Sequence, residues 1–358
     1  MNSSVRKIIT ISDEGYTRNC EATFIRLNDN GIMMAYTRYS GDCPCDDNAP
    51  SEIVARISYD EGESWGEAYT ILDPARHGAK TVGSPTLMRM QNGDVGLFYM
   101  VRTTPHWLHH LALVRSSDEG KTFPGEAVNC SIEIYDGYHM LVNDSVIRLS
   151  SGRILVPITY HTGNEKAGDD THVDPCAYGA FTYSDDDGIT WKSSYDEVFQ
   201  PFSNTSAGLQ NAVLAEIGPK AVKVFWSTDM MCQYESYSTD DGDHFMVAQS
   251  SRFSSPCSPL KVAKDPSDGS FYAIWNPTPV FNGRCYAEGT KGQTSLVWSK
   301  LDSTATRYGD IKVIESDDSY GYSHPAAFFT SDGKMLLAYS FGDRSPMEKL
   351  SIVKVDVK

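Results

Sequence analysis

The sequence predicts an all-β fold: one domain over residues 1–358, built as a six-bladed β-propeller of four-stranded antiparallel blades. Two repeats and one absence predict it. The first repeat is an octet of Ser, any residue, Asp, any, Gly, any, Ser or Thr, and an aromatic. It occurs as SYDEGESW from Ser58, SSDEGKTF from Ser116 and SDDDGITW from Ser184, with a looser copy, STDDGDHF, from Ser238. The second repeat is an apolar run, a glycine turn and another apolar run, with turn glycines at Gly31, Gly93, Gly152, Gly218, Gly269 and Gly333. No long helical period interrupts either repeat.

The first unit shows how the strands are laid out. TFIRL and GIMMAY flank Asn30-Gly31, and apolar or β-branched runs on either side of such a turn form a hairpin. EIVARIS then leads into the first octet and EAYTIL leads out, which supplies a third and a fourth strand. The later hairpins follow in order as PTLMRMQNGDVGLFY, SVIRLSSGRILVPI, AVLAEIGPKAVKVFW, LKVAKDPSDGSFYAIW and AAFFTSDGKMLLAYS. Six such units, each of roughly 60 residues, are the sequence picture of radial repetition.

Composition narrows the function. There are 31 Lys+Arg against 47 Asp+Glu, a net charge of −16, which argues against nucleic acid and against an anionic membrane surface as partners. The longest apolar run, Val95 to Val101, is far short of the ~20 residues a membrane span needs. The opening MNSSVRKIITIS has no apolar stretch of signal-peptide type, so the expected location is the cytoplasm, or outside the cell if a leader has been removed. Eight cysteines are too sparse for a disulfide scaffold and are expected to be reduced and mostly buried. There is no phosphate-binding glycine loop and no Gly-x-Ser-x-Gly elbow, so no cofactor is expected. His161, Asp169, Asp170, His172 and Asp174 fit no strict metal-binding spacing, nor does Cys43-Pro44-Cys45, and no metal is expected. A homo-oligomer is compatible with this composition.

Within each octet the Asp accepts N–H groups of its own turn and the Gly supplies a positive φ, so Asp60, Asp118, Asp186 and Asp240 are structural. In an up-and-down blade the start of strand 1 and the strand 2–3 loop share one end. Polar residues there converge on the axis: Arg18 to Glu21, His139 to Asp144, Gln210-Asn211 and Tyr322 to His324 from strand starts, and Arg38, Asp47, Arg102, His106, His161, Arg284 and Arg344 from loops. Such a rim makes a binding pocket.

The octet is the Asp-box, and with the six hairpins the chain resembles the sialidase (neuraminidase) superfamily over nearly its whole length. The resemblance implies an exo-acting glycoside hydrolase that cleaves a terminal sugar, anionic if the arginines hold an anion. Asp47, eleven residues ahead of Ser58, matches the family's acid/base, with Asp42 and Asp46 as alternatives. Tyr322, in its Tyr-Ser context, matches the nucleophile, with Tyr320 as the register alternative.

The family's arginine clamp is not visible. Asn19-Cys20-Glu21 stands where Arg-Ile-Pro is expected, and Gln210-Asn211 where a glutamate is expected. Glu21 is therefore the candidate base to Tyr322 or a second catalytic carboxylate, and Arg18, Arg38 and Arg102 are the candidate anion ligands. Asn143, Asp144, His161, Gln210, Asn211, Asn276 and His324 are the remaining candidates for sugar contacts, and Trp107, Trp226 and Trp275 for stacking. The alternatives are a non-catalytic carbohydrate-binding propeller and a polysaccharide lyase working through a Tyr/His pair such as Tyr322 and His324.

Overall fold

The computed structural model describes residues 4–103, 109–132, 134, 137–162, 173–201, 204–278 and 288–357. It is a six-bladed propeller. Blade one contains Arg18–Arg26, Ile32–Tyr39, Ser51–Ser58 and Tyr69–Leu72, counted from the axis outward. Blade two contains Thr81–Arg89, Val95–Arg102, His109–Ser116 and Val128–Asn129. In blade three the inner strand is broken into Tyr138–Met140 and Ile147–Arg148, followed by Ile154–His161, Tyr178–Ser184 and Lys192–Ser193. Blade four contains Gln210–Gly218, Ala221–Ser227, Cys232–Ser238 and Gln249–Ser254, and blade five Lys261–Lys264, Phe271–Trp275, Ser295–Lys300 and Lys312–Ser316. Blade six takes Gly321–Phe329, Met335–Gly342 and Lys349–Val355 from the end of the chain, and its outer strand, Val5–Ile11, from the beginning. Every pairing between consecutive strands is antiparallel, and the sixth blade, shared between the two ends of the chain, closes the ring.

The core is six wedges, each between two neighbouring blades. Trp226 fills the wedge between blades three and four, Trp275 that between four and five, and Trp298 that between five and six. Trp226 and Trp275 are therefore core residues, and Trp107 lies outside the described residues. A Cβ on Gly179 would stand 2.7 Å from the Trp226 ring, so this site in blade three must lack a side chain.

Each Asp-box fastens one blade to the previous one. In the first, Ser58 Oγ donates to Asp60 Oδ1 (2.8 Å), which also accepts from Ser64 N (2.9 Å), while Gly62 N donates to Ser58 Oγ (2.9 Å). Asp118, Asp186 and Asp240 repeat the pattern. The box glycines have positive φ and press against Leu336, Met33, Leu113 and Leu155 of the preceding blade. This second requirement explains why glycine, rather than asparagine, occupies the position.

The cysteine expectation needs correction. Cys43, Cys45, Cys176 and Cys257 are exposed, and only Cys20 and Cys130 of the described cysteines are buried; all seven described are free thiols. No helix among the described residues is long and apolar enough to cross a membrane.

Candidate functional site

The inner strands share a feature that organises the axis. Glu21, Ser84, Asp144, Asn211 and His324 all have positive φ. At Glu21, Ser84, Asn211 and His324 the register of the inner pair slips, as between Cys20 and Thr23 and between Ser323 and Ala326. A residue of left-handed conformation in a bulge turns a side chain that the regular pleat would place elsewhere. Five blades thus present a polar side chain at one level of the axis.

Blades one and two build a charged cluster above this level. Arg18 is 2% exposed and lies 4.1 Å from the centroid of the Tyr39 ring. Its Nη1 donates to Asp47 Oδ1 at 2.6 Å and to the Asp46 carbonyl at 3.3 Å. Arg102, 7% exposed at the end of the second strand of blade two, donates from Nη1 to the Asp47 carbonyl at 2.5 Å. The Nε atoms of both arginines are buried and have no hydrogen-bond partner among the described residues. Two guanidinium groups therefore hold one loop, whose Asp47 side chain is 61% exposed.

Glu21 lies beneath the loop. Ser84 N donates to its Oε2 at 3.0 Å and Ser84 Oγ to its Oε1 at 3.3 Å. A Cβ on Gly83 would stand 2.9 Å from Tyr39 Oη and 3.1 Å from Glu21 Oε2, so glycine is what lets blade two approach this carboxylate.

The electrostatics follow from the packing. The surrounding protein partly desolvates Asp47, which would raise its pKa, but Arg102 and Arg18, with Lys291 behind them, hold it below its ordinary 3.8. Burial raises the Tyr39 phenol, and Glu21 raises it further while Arg18 and Arg102 oppose. Burial also raises Tyr138, against Arg102. His324 is driven from 6.5 to about 4 by burial, so it is neutral at pH 7 although Glu21 favours its charge.

Beside the cluster is a cavity of about 310 Å³ lined by Asp47, Asn48, Arg102, Tyr138, His161 and Gln210, among others. The Tyr138 ring stands 4.1 Å from His109 and 5.6 Å from His161, its register partner, with the Arg102 guanidinium 5.8 Å away. His161 Nδ1 donates to the Asp174 carbonyl at 2.7 Å, and burial lowers its pKa, so Nε2 is the basic nitrogen of a neutral ring.

The structure thus brings together Arg18, Glu21, Asp47, Arg102, His161, Gln210 and His324. Other candidates stand elsewhere. Tyr322 is buried in the wedge between blades five and six, near-parallel to Phe341, and the carboxylates that raise its pKa are Glu315 and Asp317 on the outer side of blade five. The expected pairing of Tyr322 with Glu21 or Asp47 is corrected accordingly. Arg38 faces outward, bonded to Glu52 (2.9 Å) and Asp13 (3.3 Å) and stacked on Tyr16. Asn276 is fully occupied by Ser258, Ser295 and the Tyr322 carbonyl.

Asn143 ties the Ala22 carbonyl (2.6 Å) to that of His324 (3.4 Å), Asp144 binds Lys261 and Thr23, and Asn211 donates to Ser227. These three join strands and blades. Arg344 is exposed and paired with Glu348. His106, Asp169, Asp170, His172 and Arg284 lie outside the described residues, among which no group of three or more His, Cys, Asp or Glu is placed to hold a metal.

Sequence reasoning missed Tyr39, Tyr138, His109 and Lys291. Tyr39 and Tyr138 are at strand ends on the predicted rim, so extending each polar cluster by one residue would have reached them.

Comparison with known proteins adds the family. The sequence matches the BNR repeat-like domain family over residues 39–337. The chain belongs to that family. Among solved structures, the fold is similar to a protein of unknown function from Dyadobacter fermentans DSM 18053 (19% identity, 99% of this chain and 100% of that one, TM-score 0.72). It is also similar to the NanB sialidase of Streptococcus pneumoniae (12%, 100% and 71%, 0.71) and to Trypanosoma rangeli sialidase solved with sialic acid (14%, 100% and 58%, 0.65). At these identities the likeness is one of fold: this BNR repeat-like chain is a sialidase-like propeller. A search of curated protein sequences returns no match.

Proposed function

We propose that the protein is an exo-acting glycoside hydrolase that removes a terminal anionic sugar. The observation that carries this reading is the convergence of two buried arginines, Arg18 and Arg102, on the carboxylate-bearing Asp47 loop beside a cavity of sugar size. Lys291 adds a third cation, so three positive groups act on Asp47 in a chain of net charge −16. A local cation surplus under an acidic surface favours an anionic ligand.

On this reading each residue has a role. The substrate's anionic group takes Arg18 from Asp47. With its ion pair to Arg18 broken, the substrate's negative charge beside it and water displaced, Asp47 rises in pKa, takes a proton from solvent and passes it to the departing glycosidic oxygen. Tyr138, rather than Tyr322, is the phenol of the site. As the phenol oxygen bonds to the anomeric carbon and the glycosidic bond breaks, its proton passes to Glu21, the second carboxylate in its field. His161 Nε2 and Gln210 meet sugar hydroxyls.

A second reading, a polysaccharide lyase, is favoured by the packing of Tyr138 between His109 and His161 beside Arg102. There Arg102 would neutralise a uronate, His161 Nε2 would remove the proton next to it, and the Tyr138 phenol would protonate the leaving oxygen.

A panel of aryl glycosides and oligouronates, including a sialoside, tests both. Hydrolysis predicts release of the terminal sugar with no unsaturated product, and a loss of about 100-fold or more in kcat for Asp47→Asn with ligand affinity retained. An ultraviolet-absorbing unsaturated product would transfer the site to the lyase reading. Wild-type rates in Asp47→Asn, Glu21→Gln and Tyr138→Phe together would remove both.

A further inference from the structure

A cavity of about 560 Å³ lies not at the charged cluster but at the other mouth of the channel. It is lined by the far halves of the inner strands of blades one, three, four, five and six. At about 3.3 Å per residue, Arg26 lies about 16 Å along its strand from Glu21. The floor is Asp144, whose Oδ2 pairs with Lys261 Nζ at 2.7 Å and whose Oδ1 accepts from Thr23 Oγ1 at 2.9 Å. That ion pair stands between the two mouths.

The walls are apolar. Ile147, Leu214, Val262, Phe271, Phe328 and Phe329 line them, and Phe328 and Phe329 remain only half-buried. Water gains few partners on such walls, whereas a carbon-rich ligand gains contact with all of them.

Most of the ionic groups around the cavity are already engaged, and Glu216 is the carboxylate whose partners are uncharged. Arg26 gives Nη1 and Nη2 to Glu61 at 2.8 and 2.9 Å. Arg148 bonds Asp187 at 2.6 Å, Glu216 accepts from Ser150 N and Oγ, and Lys261 holds Asp144. Lys264 is exposed, forms no ion pair among the described residues, and has its ammonium 5.3 Å from the Phe271 ring centroid. Lys264 therefore offers an unengaged ammonium beside the Phe271 ring, while the Glu216 oxygen is taken up by Ser150.

We infer that this lower cavity binds a small amphipathic anion, with an aromatic or aliphatic body against Phe271 and Phe328 and a single carboxylate or sulfonate on Lys264. The site is separate from the Arg18–Asp47 cluster and does not depend on the reaction carried out there.

Fluorescence titration of the whole protein with 1-anilinonaphthalene-8-sulfonate, an aromatic body with one sulfonate, is the test. One saturable site is expected. Its affinity should fall at least tenfold in Lys264→Glu and be abolished in Ala327→Trp, which fills the bowl, with circular dichroism and thermal unfolding confirming the fold of each. The uncharged parent 1-anilinonaphthalene should bind at least fivefold more weakly than the sulfonate, a comparison that needs no variant. Arg102→Ala, at the opposite mouth, should leave probe affinity within twofold. Absence of a saturable site would overturn the inference. So would a site indifferent to Lys264→Glu, or one lost in Arg102→Ala.

Discussion

Blades one and six reach the axis with the same bulged inner strand, yet they use it differently. Their register slips align Cys20 with Ser323, Glu21 with His324 and Asn19 with Tyr322. In blade one the residue ahead of this trio is Arg18, buried under a charged loop; in blade six it is Gly321. Tyr322 therefore occupies the strand position of a wall residue and packs among Tyr339, Phe341 and the blade-five core. The lesson is one of parity. On a strand of period two, a bulge decides which neighbour faces the channel, and a motif displaced by one residue enters the core instead.

The sharpest way to break this comparison is to remove one phenolic hydroxyl at a time. Tyr138→Phe should lower kcat/KM by at least about 100-fold, whereas Tyr322→Phe should leave it within about twofold. The reverse result in steady-state kinetics would return the phenol to blade six. Next come two arginines at comparable strand ends. Arg102→Ala should weaken an anionic ligand by at least about 30-fold in an equilibrium titration, since a buried guanidinium is replaced by nothing. Arg38→Ala should leave binding unchanged and cost about 1 kcal/mol of unfolding free energy through its lost contacts to Glu52 and Asp13.

His324 sharpens the contrast through pH. Its pKa is depressed from 6.5 to about 4 in the folded state, so between these values the unfolded chain binds more protons. Stability should therefore fall as pH drops from 6.5 toward 4, by up to about 3 kcal/mol for this group. Denaturant melts of His324→Gln should show a flatter profile over that window, and an unchanged slope would contradict the assignment. The smallest effect belongs to the scaffold. Asp118→Ala removes the acceptor for Ser116 Oγ, Thr122 N and Thr122 Oγ1, and should cost about 1 kcal/mol with kinetics intact.

The architecture was legible because it is written in repeats. Octets and glycine hairpins mark local turns whose geometry needs those residues, and six of them leave little freedom in topology. The closing strand Val5–Ile11 was not anticipated, since nothing local in VRKIITI tells it to pair with Lys349–Val355. The site was legible where strand ends determine it, as at Arg18, Glu21, Asp47 and Arg102. It was misread where a side chain's direction depends on the bulge, as at Tyr322, or where an amide links strands, as at Asn143 and Asn276. A signal was present: Glu21-Ala22, Ser84-Pro85, Asp144-Ser145, Asn211-Ala212 and His324-Pro325 each place a polar residue before a small residue or a proline, and these are the five positive-φ positions.

The central claim is that the Arg18–Arg102 pair selects a negatively charged terminal sugar, and the ratio of kcat/KM for a carboxylated aryl glycoside to that for its neutral counterpart tests it directly. The account predicts a strong preference for the carboxylated substrate in the native protein that collapses in Arg102→Ala. Equal rates on both substrates, or a preference that survives Arg102→Ala, would contradict it.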